Sequence, residues 1–147
     1  LAAGLTTAHA SSVPVAVAVH AAVDAGRLSP LADAPPPLAL VRANGAMRTF
    51  SDALTKQSAG LPAVALVLVE AHLWGRIVTG SAGTRFEAHA VGPAGGDVLV
   101  VTGEPALRAL LDGRISWNAA VTAGLVVVDG PPGDRERIAR ALAEQFS

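Results

Sequence analysis

Two short segments of the chain repeat a Glu-x-His pattern that could bind a metal ion. The first contains Glu70 and His72, and the second contains Glu87 and His89. Residues two positions apart lie on the same face of a β-strand. If a hairpin turned at residues 80–81, the two histidines would lie opposite each other, with both glutamates on the same face. Two imidazoles and a carboxylate are a ligand set that suits Zn²⁺ or a related metal.

The same pattern also fits the solvated face of an antiparallel sheet, and this is the interpretation that we favour. The positions that alternate with the Glu and His residues are apolar, namely Val69, Ala71, Leu73, Phe86, Ala88 and Ala90. Antiparallel sheets commonly have one face packed on the core and the other in water. We therefore expect no bound metal here, and a metal-dependent enzyme ranks third among the possible functions.

Other catalytic or cofactor-binding motifs are weaker still. The chain has no Gly-x-Ser-x-Gly nucleophile elbow. The glycine-rich stretch at 92–96 precedes a strand, whereas phosphate binding needs such a loop before a helix. The stretch at 130–133 does precede a helix, but Asp134 at its start opposes phosphate. His20 and Asp24 have helical spacing and could form a base with its orienting carboxylate, but a lone histidine of this kind is more often structural. We expect no catalytic residue and no cofactor.

Composition narrows the class of protein further. Of the 147 residues, 51% are hydrophobic and 16% are charged, which predicts a globular domain. The net charge is −1 and the basic residues are scattered, so nucleic acid is not an expected partner. The most apolar run, at 61–73, is too short for a membrane span. Because there is no Cys, disulfides and thiolate metal sites are excluded.

The first half of the chain gives mixed signals about its elements. Residues 14–25 fit either a helix or a strand ending at Gly26, and a proline-rich connector follows at 30–37. Residues 38–42 suit a short strand, and Asn44-Gly45 is typical of a turn. A helix is then predicted at 49–58, with Ser51 as its N-cap.

The second half is more regular. Strands are predicted at 63–69, at 84–91, at 97–102 and at 125–128. Between residue 69 and residue 76 the pattern becomes alternating, which also indicates a strand. A helix opens at 102–105 and ends at Gly113, and Ser116 caps a short helix that ends at Gly124. Asp134 is predicted to cap a final helix. Its apolar residues recur every four positions, at Ile138, Leu142 and Phe146.

Residues 97–142 carry a pattern of apolar and glycine positions that resembles a known family. A strand at 97–102 leads to a helix with paired leucines before a glycine, then to a short helix begun by a serine. A glycine, a strand ending in glycine and an amphipathic helix follow. The positions are Leu110, Leu111, Gly113, Ser116, Ala120, Gly124 and Gly130. In this order and spacing, the segment resembles the C-terminal part of the sterol-carrier-protein-2-like (SCP2-like) family.

The resemblance implies a fold and a pocket. The fold class is α+β, with a mixed or antiparallel sheet covered by helices on one face, in a single domain over residues 13–147. The family has an apolar tunnel and carries no catalytic residues. The implied pocket lies between the sheet and the helices, with a lining of Leu107, Leu111, Trp117, Val121 and Leu125. The residues themselves equally fit a filled core, because protein interiors normally pack without voids.

The resulting hypothesis is a non-catalytic or accessory module that binds an apolar small molecule or lipid. The alternative is an interaction or assembly subunit whose partner is another protein. The triplet at residues 8–10, Ala-His-Ala, has the small-x-small form of a signal-peptidase site. We therefore expect residues 1–12 to be a signal-peptide remnant or a disordered tail, and the protein to be exported, for example to the periplasm.

Overall fold

The computed structural model describes residues 2–31, 33–56, 61–69, 73–80, 83–90 and 97–147, with the backbone alone at 2–11, 55, 79–80, 83–85 and 88–90. These residues form five helices and five strands. The helices are α1 (Ala2–Asp24), α2 (Pro36–Thr55), α3 (Glu104–Leu111), α4 (Trp117–Thr122) and α5 (Pro132–Gln145). The strands are β1 (Val64–Leu68), β2 (Leu73–Gly80), β3 (Gly83–Ala90), β4 (Val98–Thr102) and β5 (Val126–Asp129).

The five strands form one sheet in the order β3-β2-β1-β4-β5. β1 and β4 run parallel, and the other neighbours run antiparallel. The predicted α+β class with a mixed sheet is therefore confirmed. β1 and β4 are central and consist almost wholly of branched apolar residues, and all ten of their residues are buried. Both faces of the sheet are thus covered at its centre.

The long helices contribute buried stripes to one continuous core. α1 contacts β4 and β5, and its buried residues Val15, Val19 and Ala22 have the spacing of one helix face. α1 runs back to Ala2 through the stretch expected to be a signal remnant, and processing there stays a prediction. Within the described residues, no helix is long and apolar enough to cross a membrane.

Residues 36–55 form one helix, so the predicted strand at 38–42, the Asn44-Gly45 turn and the Ser51 N-cap are wrong. Ser51 is buried inside α2. These residues form a helix because a stripe of buried side chains on one helix face continues past the Asn-Gly pair. Its fully buried members lie at i, i+4, i+7 and i+11, namely Ala43, Met47, Phe50 and Leu54. Burial of this stripe outweighs the local turn preference, because packing decides most helical stability in proteins.

The β2–β3 hairpin is shifted from its predicted register. Gly80 pairs with Gly83, so the turn lies at residues 81–82 and not at 80–81. The shift of two residues keeps the side chains at 75–78, 86 and 87 on their predicted faces, so apolar alternation could not detect it. The observed register places Arg76 opposite Glu87, whereas the predicted one would place Arg76 opposite Arg85. Like charges directly opposite each other are destabilising.

The C-terminal third follows the predicted order closely. Gly113 and Gly124 have positive φ angles of 74° and 75°, as helix-ending glycines do. The Oγ of Ser116 accepts a hydrogen bond from the Ala119 N–H at 3.2 Å, which confirms the N-cap. Asp134 lies in the first turn of α5 and is not its cap, because the helix already begins at Pro132. The predicted apolar stripe of α5 is buried, at Ile138, Leu142 and Phe146.

Candidate functional site

A cleft opens between α1, the connector at residues 30–31 and the start of α3, and we call it the α1 cleft. Its volume is about 390 Å³. Residues spaced three or four apart on α1 form one wall, and the end of β1 and the first turn of α3 form the other. Seven lining residues are apolar and one is a histidine: Ala16, Val19, His20, Val23, Pro30, Leu31, Val69 and Pro105. The cleft therefore offers an apolar surface with a single titratable side chain.

His20 lies on the solvent side of this cleft. Its Nε2 is 3.2 Å from the Asp24 carboxylate, one helical turn further along α1. The two side chains are 79% and 68% exposed, so water screens their interaction. The pair that was considered as a catalytic base and its orienting carboxylate is thus a surface pair at the rim of the cleft.

A second concavity, the α5 groove, lies between α4, β5 and α5 and has a volume of about 490 Å³. Its lining residues are Trp117, Asn118, Val121, Gly124, Val126, Val127, Val128, Arg135, Glu136 and Ala139. Three consecutive residues of β5 are among them. Because alternate side chains of a strand point to opposite faces, a groove that touches three in a row must lie along the strand's edge.

The hydrogen bonds of β4 show which way its backbone groups point. The Val98 N–H donates to the Ala63 C=O at 2.8 Å, and the Val69 N–H donates to the Thr102 C=O at 3.0 Å. Both partners lie on the β1 side. Because the backbone groups of successive strand residues alternate in direction, the β4 residues between these two turn alternately toward β1 and toward β5.

The outer edge of β5 follows from this alternation. Leu99 and Val101 of β4 turn toward β5, where their partners in the register are Asp129 and Val127. The N–H and C=O groups of the alternate residues, Val126 and Val128, therefore point away from β4. β5 is an edge strand, and no hydrogen bond to these groups occurs within the described part of the chain. Of these two residues, Val126 is almost fully buried and Val128 is half-buried.

The five residues of the predicted pocket are separated in the structure. Leu107 and Leu125 belong to the buried core, and Leu111 is half-buried against it. Trp117 and Val121 line the α5 groove, the first almost fully buried and the second 46% exposed. Contact of any of these residues with a ligand stays a prediction.

The predicted metal-binding residues are only partly described. Glu70 and His72 lie outside the described residues, and His89 is described by its backbone alone. β3 pairs Ala88 with Gly75 and Ala90 with Trp74, so His89 is the extra residue of a bulge. Among the side chains that are described, no three His, Cys, Asp or Glu residues are grouped so as to hold a metal ion.

Glu87 takes part in an ion-pair network. Its Oε2 is 3.4 Å from Nη1 of Arg76, and Arg76 also donates two hydrogen bonds to the Asp97 carboxylate, at 2.8 and 2.9 Å. The Asp97 side chain is almost fully buried. The hydrogen bonding of the Arg76 guanidinium to the Asp97 carboxylate raises the pKa of Arg76 against the opposing effect of burial. This network ties β2 and β3 to the start of β4.

A second charged cluster was missed by sequence reasoning. The buried Glu104 accepts hydrogen bonds on one carboxylate oxygen from Nε of Arg42 at 2.8 Å and from Nε of Arg108 at 2.9 Å. The i, i+4 spacing of Glu104 and Arg108 could have indicated the ion pair between these two residues. Arg42 was not detectable, because it was assigned to a strand and lies on α2. The cluster joins α2 to α3.

No protein-family model and no curated protein matches the chain. Several solved structures are similar to the chain in fold. A double mutant of the sec-alkylsulfatase Pisa1 matches 60% of this chain at 16% identity and a TM-score of 0.48. The inverting sec-alkylsulfatase Pisa1 from Pseudomonas sp. matches 63% at 14% identity and 0.44. The chain spans only 14% of the length of each alkylsulfatase chain.

The third similar structure is the ubiquinone synthesis protein UbiJ-SCP2. It matches 74% of this chain, and 96% of its own length is covered, at 13% identity and a TM-score of 0.44. Residues 97–142 resemble the family after which this protein is named SCP2. At these identities, the likeness of the chain to all three structures concerns the fold.

Proposed function

We propose that the protein is a non-catalytic module that binds a small apolar molecule in the α1 cleft. The observation that carries this proposal is the lining of the cleft, which is apolar at seven of eight residues. A concave, mostly apolar surface with one or two polar groups is typical of small-molecule sites. Burial of this lining by an apolar ligand releases water from it, at about 25 cal/mol for each Å² covered.

The α1 cleft suits an apolar ligand better than the α5 groove does. The lining of the groove holds the polar groups of Asn118, Arg135 and Glu136, which are exposed to water. An apolar ligand would remove that water and offer no hydrogen bond in return, at a cost of about 1–3 kcal/mol for each group. The α1 cleft owes its polar character mainly to His20, which lies at the rim.

The position of His20 orients the proposed ligand. The apolar body of the ligand would pack against Val19, Val23 and Leu31, and a polar end would meet His20 where the cleft opens to water. The exposure of this histidine favours a role in binding over one in catalysis. A catalytic acid or base is held within hydrogen-bond reach of the reacting atom, and an exposed side chain is free to turn away from it. The ligand class is a molecule with one polar end and an apolar body.

The proposal is tested by titration with N-phenyl-1-naphthylamine, an uncharged apolar dye whose fluorescence rises in apolar sites. We expect one dye molecule to bind per chain. Ala16→Leu places a larger side chain in the cleft and should weaken binding by about tenfold, which corresponds to about 1.4 kcal/mol. Ala21→Leu is the matched control, because Ala21 is an exposed residue of the same helix outside the cleft.

A further variant separates the two concavities. Ala139→Leu fills part of the α5 groove and should leave dye binding unchanged. Equal binding by the Ala16→Leu and Ala21→Leu proteins would contradict the proposal, as would loss of binding in Ala139→Leu alone.

A further inference from the structure

We infer that the α1 cleft selects a small ligand whose polar end is a hydroxyl group, and that it discriminates against a ligand that ends in a carboxylate. This inference rests on the proposed function, because it names the chemical class of the molecule bound in the same cleft. It is carried by the polar groups at the opening of the cleft, where His20 and Asp24 lie close together.

The first step is the size of the cleft and the nature of its walls. Its volume of about 390 Å³ is near the lower end of the range of about 300–1,000 Å³ that is common for small-molecule sites. Away from the rim, the lining side chains are those of Ala, Val, Leu and Pro, which form no hydrogen bonds. The apolar part of the ligand is therefore short, and its polar group stays at the rim beside His20.

The second step is the hydrogen-bonding state of His20. Its Nε2 is 3.2 Å from the Asp24 carboxylate, which can only accept a hydrogen bond. In a neutral imidazole the proton is therefore on Nε2, and Nδ1 is left with a lone pair that accepts. A hydroxyl group donates to such a nitrogen, whereas the oxygen of a ketone, an ester or a carboxylate cannot.

The third step is the charge around the opening. A ligand carboxylate at Nδ1 would be the second carboxylate on a ring that already faces Asp24. Among the described residues that line the cleft, none is Lys or Arg. Arg27, in the turn after α1, is exposed and is not part of this lining. A carboxylate would therefore give up water next to a negative charge, without a cation to replace that water.

Two further arginines lie near elements that line the cleft, and both have acidic partners. Arg108, one helical turn after Pro105, donates from Nε to the Glu104 carboxylate at 2.9 Å. Arg114 donates from Nη2 to the Asp112 carboxylate at 3.1 Å. Glu104 also lies in the first turn of α3, where its charge complements the positive end of the helix dipole. An anionic ligand would have to compete with these carboxylates for positive charge.

The test displaces bound N-phenyl-1-naphthylamine at pH 8 with 1-octanol, 2-octanone or sodium octanoate, which have the same number of carbons. Because these probes differ in water solubility, ratios of affinity are compared between variants. His20→Phe keeps a ring at the rim and removes the accepting nitrogen, so it should lower the ratio of octanol to octanone affinity about fivefold. His20 is largely exposed, so the fold should not depend on this change.

A second variant tests the discrimination against carboxylates. Asp24→Asn removes the negative charge beside His20 and should raise the affinity for octanoate about threefold or more, with less than a twofold change for octanol. Asp52→Asn is the matched control, because Asp52 is an exposed residue of α2 that does not line the cleft. It makes the same change in net charge and should leave both affinities unchanged.

The outcomes separate this inference from the proposed function. The inference alone is overturned if the dye binds but His20→Phe leaves the ratio of octanol to octanone affinity as it was. It is also overturned if Asp24→Asn raises octanoate affinity by no more than Asp52→Asn does. If the dye does not bind, or if none of the three probes displaces it, the proposed function is contradicted and the inference falls with it.

Discussion

The ring of Phe146, next to the last residue of the chain, stacks on the ring of Phe50 in the middle of α2. The ring centroids are 5.8 Å apart and the planes differ by 11°. The backbone of Phe146 is held as well, because its C=O accepts a hydrogen bond from the Trp117 N–H at 2.8 Å. The end of the chain therefore joins α2, α4 and α5 into one packed unit.

Phe146→Ala should lower the free energy of unfolding by about 3 kcal/mol, because it removes a buried ring and its stacking partner's contact. Urea denaturation measures this change. Glu144→Ala, two residues earlier on the exposed side of α5, is the control and should change stability by less than about 0.5 kcal/mol. Similar stabilities of the two variants would show that the end of the helix frays.

Gly45→Ala should stabilise the protein by roughly 0.5–1 kcal/mol, since Gly45 lies inside α2 and no atom is within 4 Å of the added methyl group. The same change would destabilise a turn in which Gly45 had a positive φ. Thermal unfolding followed by circular dichroism thus distinguishes the helix from the Asn-Gly turn that the sequence predicts. A fall in the midpoint temperature would contradict the helix.

Gly75→Ala should cost about 1–3 kcal/mol, because β2 passes close beneath α2. A Cβ at Gly75 would be 2.7 Å from Cε of Met47 and 2.8 Å from Cε1 of the Phe86 ring. The end of Met47 is flexible, but the half-buried Phe86 ring is rigid and has to turn away as a whole. Gly133→Ala, where no atom lies within 4 Å, is the control for this denaturation experiment. Equal unfolding midpoints for the two variants would show that the Phe86 ring gives way freely.

The C-terminal third was predictable because its signals are local. Ser116 caps the helix that it begins, and Gly113 and Gly124 end helices at positive φ, so each boundary depends on a residue within one turn of it. α2 was not predictable in this way. Its exposed Leu38 and Val41 suggested a strand, whereas the helix is decided by packing with distant residues, including Phe146.

The two concavities illustrate what a single sequence leaves open. Of the five residues predicted to line a pocket, Trp117 and Val121 line the α5 groove, and the other three do not. The α1 cleft was not foreseen, because it brings α1 next to Val69 and Pro105, which are remote in the chain. The edge position of β5 depends on strand order, which alternation within a strand does not encode.

Asp97→Asn should destabilise the protein by about 1.5–3 kcal/mol, the range for hydrogen bonds to charged groups. Asp97 is almost fully buried and accepts two hydrogen bonds from Arg76, and the amide would keep at most one as an acceptor while losing the charge. Glu87→Gln is the matched control on the same arginine. Its contact is 3.4 Å long and more exposed, so we expect a loss of about 0–1 kcal/mol. Urea denaturation of both variants measures the two losses of stability. A larger loss for Glu87→Gln would show that Arg76 is anchored by its cross-strand pair with Glu87 and not by its hydrogen bonds to Asp97.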